Sequence, residues 1–123
     1  MNVSVFGLGY VGSVSAASFA ADGHTVIGVD VNPDKVASLN EGRSPIVEKD
    51  LDQLIADNTK NGRLRSTTST QEAVDATELS LICVGTPSRK NGSLDLAYLE
   101  RVCEQIGEAI ATKKDYHVVV VRS

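Results

Sequence analysis

The stretch Ser4-Val5-Phe6-Gly7-Leu8-Gly9-Tyr10-Val11-Gly12 decides the fold. It predicts the end of a buried strand, a tight glycine turn and the first turn of a helix, and its Gly7-x-Gly9-x-x-Gly12 spacing is that of the dinucleotide-binding fingerprint. Gly7 would reverse the chain, Gly9 would let a pyrophosphate approach the backbone, and Gly12 would let the helix pack on the strand. The N–H groups at the start of the helix would then face the phosphates.

The sequence around this turn supports the fingerprint. An apolar strand precedes it, and the following helical pattern ends at Asp22-Gly23. A second strand, 25–30, ends in Asp30, which lies 18 residues beyond Gly12. We expect Asp30 to accept hydrogen bonds from the adenosine ribose and to repel the 2′-phosphate of NADP, the alternatives being a solvated acid and a turn without a ligand. The apolar residues of the helical pattern are Val11, Val14, Ala17, Phe19 and Ala20.

Composition narrows the class of protein. The 123 residues suggest one domain, and a chain with 41% hydrophobic and 23% charged residues is ordinary for a globular protein. The net charge of −4 disfavours nucleic acid or an anionic membrane as the main partner. We expect no membrane span and no signal peptide. The two cysteines form neither a disulfide framework nor a metal-ligand spacing, so we expect a cytoplasmic protein without a metal.

Strands and helices alternate along the chain, which predicts an α/β fold. Short connections and right-handed crossovers favour a Rossmann-type parallel sheet in the order 3-2-1-4-5, with helices on both faces. Ser69 and Glu72 have the spacing of a capping box at the start of one helix. Strands are expected at 2–6, 25–30, 64–67, 79–84 and 117–121, and helices near 11–22, 33–39, 50–59 and 71–76, with a long one from 95 onward.

The cysteines and histidines are expected to be structural. Cys83 falls in the strand 79–84, and Cys103 falls on the predicted apolar face of the last helix, so both are expected to be buried as small hydrophobes. His24 and His117 stand at strand starts, on the edge of the sheet opposite the predicted ligand. We therefore predict no catalytic residue among them.

Several segments together resemble the nucleotide-sugar 6-dehydrogenase family, which includes UDP-glucose and GDP-mannose dehydrogenases. These are the glycine turn, Gly28-Val29-Asp30, Ser44-Pro45-Ile46-Val47-Glu48, Cys83-Val84-Gly85-Thr86-Pro87-Ser88 and 118–123. They span the whole chain in the right order, which makes them far more specific than the glycine turn alone. The segments 44–48, 90–96 and 119–123 are most similar to the GDP-mannose members.

The resemblance implies an NAD-dependent, four-electron oxidation. A nucleotide sugar such as GDP-mannose, with water and two NAD, would give the uronate and two NADH by way of an aldehyde, a cysteine thiohemiacetal and a thioester. In the family the catalytic cysteine lies in a C-terminal substrate domain, and neither cysteine here matches its motif. Residues 1–123 are therefore expected to be an NAD-binding domain that lacks the central helix and the substrate domain, and to turn nothing over alone. The whole protein is expected to be a homo-oligomer.

The expected cofactor contacts come from several loops. Tyr10 and Val11 lie in the glycine turn, and Thr86 and Pro87 follow the fourth strand. The resemblance also implies a basic residue at Lys35 and a contact at Ser123. The full expected set is Gly7, Gly9, Tyr10, Val11, Gly12, Asp30, Lys35, Gly85, Thr86, Pro87 and Ser123.

Two alternative functions remain open. One is a 6-dehydrogenase of UDP-glucose or another UDP-sugar. The other is a non-catalytic nucleotide-sensing Rossmann module, such as a domain that gates a channel. A sensing module would share the glycine turn and Asp30 but has no need of Gly85-Thr86-Pro87, so that segment favours the enzyme.

Overall fold

Five parallel strands form one sheet in a computed structural model, which describes residues 1–46, 48, 50–84 and 96–122. The sheet order is β3-β2-β1-β4-β5, as predicted for a Rossmann-type fold. Each pair of neighbouring strands is parallel, with Val5 of the first strand opposite Gly28 of the second and Leu81 of the fourth. The strands are β1 (Asn2–Phe6), β2 (Thr25–Val29), β3 (Leu64–Thr67), β4 (Leu79–Ile82) and β5 (Val118–Val121).

Helices cover both faces of the sheet, again as predicted. The first three contribute to one core cluster with Val3 and Val5 of β1, and the last two contribute to a second cluster with Phe6. Val3 and Val5 therefore face one side of the sheet and Phe6 faces the other, because successive residues of a strand point to opposite faces and β1 is buried on both. The helices are α1 (Tyr10–Ala21), α2 (Pro33–Asn40), α3 (Leu51–Lys60), α4 (Thr70–Ala76) and α5 (Ala97–Ala111).

Glycines set the ends of the first three helices. Gly23, Gly42 and Gly62 each stand two residues after the last helical residue, with φ of 101°, 82° and 83°. A positive φ is readily adopted only by glycine, so these residues end the three helices, the first of them at the predicted Asp22-Gly23 turn.

One prediction about a helix face was wrong, and it concerns Cys103. Val11, the second residue of α1, is exposed, which is compatible with its predicted place in the glycine turn. The residues of α1 that do pack inward are small, including Ser13 and Ala17, and they let this helix lie close to the sheet. Cys103 was expected to be buried but is exposed, since the buried stripe of α5 runs through Val102, Ile106 and Ala109.

The predicted capping box forms only in part. The Ser69 hydroxyl accepts a hydrogen bond from the Glu72 N–H at 3.2 Å. The reciprocal bond is replaced, because the Ser69 N–H donates to Thr67 Oγ1 at 3.1 Å. The Glu72 carboxylate instead binds Arg65 and the Thr67 hydroxyl, and these two contacts, with Arg65 first, lower the pKa of Glu72.

A chain of polar groups crosses the interior near the amino ends of the strands. The hydroxyls of Ser4 and Ser80 are 2.6 Å apart, and Ser80 Oγ lies 2.8 Å from His117 Nε2. The Lys113 ammonium donates to His117 Nδ1 at 2.8 Å, which assigns the ring proton to Nε2. Burial, and then Lys113, lowers the pKa of His117. The imidazole therefore donates to Ser80 and does not activate it as a nucleophile.

Candidate functional site

The three fingerprint glycines meet three different environments at the carboxyl end of β1. A Cβ on Gly7, whose φ is 98°, would lie 2.9 Å from the Cys83 carbonyl oxygen. A Cβ on Gly12 would lie 1.6 Å from the Gly7 carbonyl oxygen, so no side chain fits there. A Cβ on Gly9 would meet nothing within 4 Å. Gly7 and Gly12 are thus required by the fold, whereas Gly9 faces open space in which a ligand can approach the backbone.

The start of α1 presents main-chain N–H donors to that space. Gly9 is the N-cap and supplies no side-chain cap, and the first turn holds no acidic residue. The first helical hydrogen bond runs from the Ser13 N–H to the Gly9 carbonyl at 2.9 Å. The N–H groups of Tyr10, Val11 and Gly12 therefore have no acceptor within the helix, which is the arrangement that binds a phosphate. The side chains of Tyr10 and Val11 are exposed at the rim.

Asp30 is bound to the glycine turn itself. It directly follows β2 and is only 8% exposed. Its Oδ2 accepts a hydrogen bond from the Leu8 N–H at 2.8 Å, and its Oδ1 accepts one from the Asn32 N–H at 2.9 Å. A carboxylate has about four acceptor positions, so about two remain for ribose hydroxyls. The motif predicted Asp30 as a ribose ligand but did not reveal that its carboxylate also binds the main chain of the glycine turn.

Leu8 anchors the glycine turn to the sheet by packing against Gly28 of β2, a contact that sequence reasoning missed. Its side chain is fully buried, and its carbonyl accepts a hydrogen bond from Ser13 Oγ at 3.1 Å. A Cβ on Gly28, in the middle of β2, would lie 2.9 Å from Leu8 Cδ2. Because Gly28 has no side chain, it leaves the space on β2 that the Leu8 side chain fills. A glycine inside a strand is a general sign of such a close approach, and that signal was present in the sequence.

A cavity of about 250 Å³ opens beside Gly7 and Asp30, between the strand ends and helices α4 and α5. Phe6 and Val84 belong to its apolar lining, and Gln105 is among its polar residues. We call it the α4/α5 cavity. Because polar residues such as Gln71 and Glu108 also line this cavity, it offers both apolar surface and hydrogen-bonding groups to a flat heterocyclic ring. Two other recesses lie away from Gly7 and Asp30, one at the amino ends of the strands and one beside α3.

The remaining predicted contacts are only partly covered by the structure. Gly85, Thr86, Pro87 and Ser123 lie outside the described residues. Lys35 is half-buried in the first turn of α2 and stays a prediction.

Neither a cluster of metal ligands nor a membrane-spanning helix is found in the described part of the chain. No group of three or more potential metal ligands occurs among those residues. None of the helices described is both long and apolar enough to span a bilayer.

Comparison with known proteins gives consistent matches over the whole chain. The model of the UDP-glucose/GDP-mannose dehydrogenase family, NAD binding domain, matches residues 1–123. GDP-mannose 6-dehydrogenase of Azotobacter vinelandii is 54% identical over 123 residues. UDP-glucose 6-dehydrogenase of Haloferax volcanii is 42% identical over the same length. In both cases the match covers 100% of this chain and 28% of the relative.

Solved structures agree with the sequence matches. The ternary complex of GDP-mannose dehydrogenase from Pseudomonas aeruginosa superimposes with a TM-score of 0.98 at 54% identity, covering 100% of this chain and 28% of that one. A UDP-glucose dehydrogenase from Pyrobaculum islandicum superimposes with a TM-score of 0.94 at 45% identity, covering 99% and 28%. The chain thus spans little more than a quarter of the length of these relatives.

Proposed function

Because the chain belongs to the UDP-glucose/GDP-mannose dehydrogenase family, as its NAD-binding domain, we propose that it serves a nucleotide-sugar 6-dehydrogenase whose substrate is GDP-mannose. The observation that supports this site is the position of the Asp30 carboxylate. It accepts a hydrogen bond from the Leu8 N–H of the glycine turn, and it is proposed to bind the ribose next to the pyrophosphate. The preference for GDP-mannose is supported by the higher identity to the GDP-mannose relatives than to the UDP-glucose enzyme of Haloferax volcanii.

In the proposed complex, the pyrophosphate, the ribose and the adenine of the cofactor each contact a different part of the chain. The pyrophosphate lies over Gly9 and accepts hydrogen bonds from the main-chain donors at the start of α1. The adenosine ribose hydroxyls donate to the two unused acceptor positions of Asp30, and the adenine enters the α4/α5 cavity. A fixed carboxylate at the ribose also disfavours the 2′-phosphate of NADP, because two anions would be brought together.

In the whole protein, NAD would supply a hydride acceptor for the oxidation of the sugar alcohol to a carboxylate, with two NAD used per sugar. The residues of this chain bind and orient that cofactor. The cysteine that carries the sugar is proposed to lie in a separate substrate domain, since Cys83 is half-buried beside the glycine turn and Cys103 lies on the outer face of α5. We therefore propose that residues 1–123 form the NAD-binding domain of a longer, homo-oligomeric protein and do not turn over substrate alone.

Calorimetric titration of the chain with NAD, NADP and ATP tests the binding part. We expect NAD to bind most tightly, because only NAD combines a pyrophosphate with an unmodified adenosine ribose and a second nucleotide half. Equal affinity for all three ligands would contradict the dehydrogenase assignment and favour a nucleotide-sensing module.

An absorbance assay for NADH formation tests the catalytic part. The chain mixed with NAD and GDP-mannose is expected to give no NADH, whereas the whole protein is expected to oxidise GDP-mannose faster than UDP-glucose. Turnover by the isolated chain would refute the proposed division of roles. A whole protein that prefers UDP-glucose would refute the substrate assignment and leave the NAD site intact.

A further inference from the structure

The side chain of Lys113, just beyond the end of α5, joins the end of α4 to the start of β5. Its ammonium donates to the main-chain carbonyls of Val74, at 3.0 Å, and of Thr77. It also donates to His117 Nδ1 at 2.8 Å. An ammonium has three N–H donors and no acceptor, so these three contacts use all of its donors. We call Lys113 and His117 together the β5 clamp, since His117 directly precedes β5.

The other ring nitrogen of His117 connects the β5 clamp to the interior of the sheet. His117 Nε2 donates to Ser80 Oγ at 2.8 Å, and that hydroxyl lies 2.6 Å from Ser4 Oγ. Both serines are fully buried. The neutral imidazole thus accepts a hydrogen bond on one side and donates one on the other. A second ring proton has no acceptor there, because Nδ1 already faces an N–H of Lys113.

β5 is less well packed than the strand at the centre of the sheet. It stands at one end of the sheet order, and Val119, Val120 and Val121 are 41%, 41% and 55% exposed. In β1, by contrast, every residue after Asn2 is buried. Elements with few buried contacts open at a smaller free energy than the rest of a fold. Loss of the β5 clamp is therefore expected to release β5 before the other strands.

We propose that the β5 clamp is a pH-sensitive device. Uptake of a proton from solvent by His117 Nδ1 brings two N–H donors and two positive charges together, so the contact with Lys113 breaks and β5 separates locally from β4. The remaining strands stay paired. Val121 stands opposite Ile82, which stands opposite Phe6, the residue before Gly7. The opening therefore reaches the sheet edge beside the candidate site, on the side away from β2, and it requires no bound cofactor.

The charges around the ring agree with this device. In the part of the chain that the structure describes, Lys113 is the charged side chain that contacts His117. Glu78 accepts from the main-chain N–H of the first residue of β1 at 3.0 Å, and Asp75 accepts from a glutamine of its own helix. Asp115 lines the recess at the amino ends of the strands. Burial, and then Lys113, lowers the pKa of His117, so the ring stays neutral while the clamp is closed.

Hydrogen exchange followed by NMR, with protection corrected for the intrinsic exchange rate, tests the device. The Val118 N–H donates to the Glu78 carbonyl at 3.0 Å and reports on β5, whereas the Gly7 N–H donates to the Val29 carbonyl at 2.8 Å and reports on the centre of the sheet. In low urea, exchange at Val118 should not depend on the urea concentration, because a local opening exposes little surface, whereas exchange at Gly7 should depend on it.

The pH response follows from the two states of His117. Only the opened state takes up a proton with the ordinary histidine pKa of about 6.5, so opening becomes easier as the pH falls below that value. Between pH 7 and pH 5.5 the protection of Val118 should therefore fall by about fourfold to eightfold.

His117→Gln is the decisive variant, since an amide can accept from Lys113 and donate to Ser80 without taking up a proton. The protection of Val118 should then be independent of pH over this range. His24→Gln is the matched control, because His24 precedes β2 and its ring contacts Phe19, so the full pH response should remain. If His117→Gln loosens β5 at every pH, Lys113→Gln gives a second test. A neutral amide can face either protonation state of the ring, so the response should fall to less than half that of wild type.

Each outcome supports or overturns the device. Protection of Val118 that does not change with pH in the wild type, or that changes equally in His117→Gln, would overturn it. Exchange at Val118 with the same urea dependence as at Gly7 would overturn the separate opening of β5. These results do not involve NAD, so the proposed function is tested independently by its own titration.

Discussion

Alanine substitution at three glycines should separate folding from cofactor binding. Gly12→Ala places a methyl group 1.6 Å from the Gly7 carbonyl oxygen and 2.8 Å from its carbonyl carbon. Both neighbours are backbone atoms, so α1 must move away from β1. Overpacking in a core usually costs about 1–3 kcal/mol, and because this overlap involves backbone we expect a loss of about 3 kcal/mol or more.

Gly9→Ala should instead leave the stability of the fold unchanged and weaken cofactor binding. Its new methyl group meets no atom within 4 Å, and the φ of −80° and ψ of −158° suit an ordinary residue. We expect the free energy of unfolding to stay within about 0.5 kcal/mol of wild type. The methyl group would nevertheless stand where the pyrophosphate approaches. Loss of one charge-assisted hydrogen bond of about 1.5–3 kcal/mol would weaken NAD binding by about tenfold to a hundredfold.

Gly107→Ala is the matched control for glycine replacement. It lies inside α5, where a Cβ would also meet nothing within 4 Å. Because alanine favours a helix, we expect a gain in stability of about 0.5–1 kcal/mol and unchanged affinity for NAD. Urea unfolding followed by circular dichroism gives the stabilities, and calorimetry gives the affinities. A Gly9→Ala chain that binds NAD as tightly as wild type would refute the placement of the pyrophosphate over this turn.

Three further substitutions test other parts of the structure. Asp30→Asn should lower NAD affinity by about tenfold or more and narrow the preference for NAD over NADP in calorimetric titrations, because the charge at the ribose is lost; an unchanged preference would contradict this role. His117, whose folded pKa is lowered, stays neutral while the unfolded chain takes up a proton below about pH 6.5, so stability should fall between pH 7.5 and pH 5.5 and fall less in His117→Gln, as urea midpoints would show. Gly28→Ala should destabilise the chain by about 1–3 kcal/mol and weaken NAD binding as well, because its methyl group displaces Leu8 from the sheet; intact binding would contradict the anchoring role.

The order of elements was predictable because its causes are local. Alternating strand and helix patterns with short connections leave few right-handed arrangements, and glycines such as Gly23 and Gly62 mark where helices end. The edges of buried helix faces were less predictable. A helical period finds the apolar stripe of α5, but whether Cys103 or Ala109 lies inside it depends on how the helix is rotated against the sheet, which depends on packing across the whole face.

The candidate site shows the same division. The fingerprint glycines and Asp30 follow from spacing, since the fold brings the carboxyl ends of β1 and β2 together. The role of Leu8 depends on contacts with Gly28 and Asp30, which are distant in sequence, and a glycine inside a strand indicates a close approach without showing which residue makes it. The hydrogen-bonded series Ser4, Ser80 and His117 was missed for the same reason, because a serine in a predicted strand does not show which distant residue its hydroxyl contacts.

The burial of Leu8 has a consequence for the lifetime of the site. Ligand-binding loops usually open at a small fraction of the global unfolding free energy. Here the Leu8 amide is bonded to a buried carboxylate and its side chain is enclosed over β2, so this amide is released only when the first two strands separate. Hydrogen exchange at Leu8 should therefore be as slow as in the centre of β1, and the turn should keep its shape until the sheet itself melts.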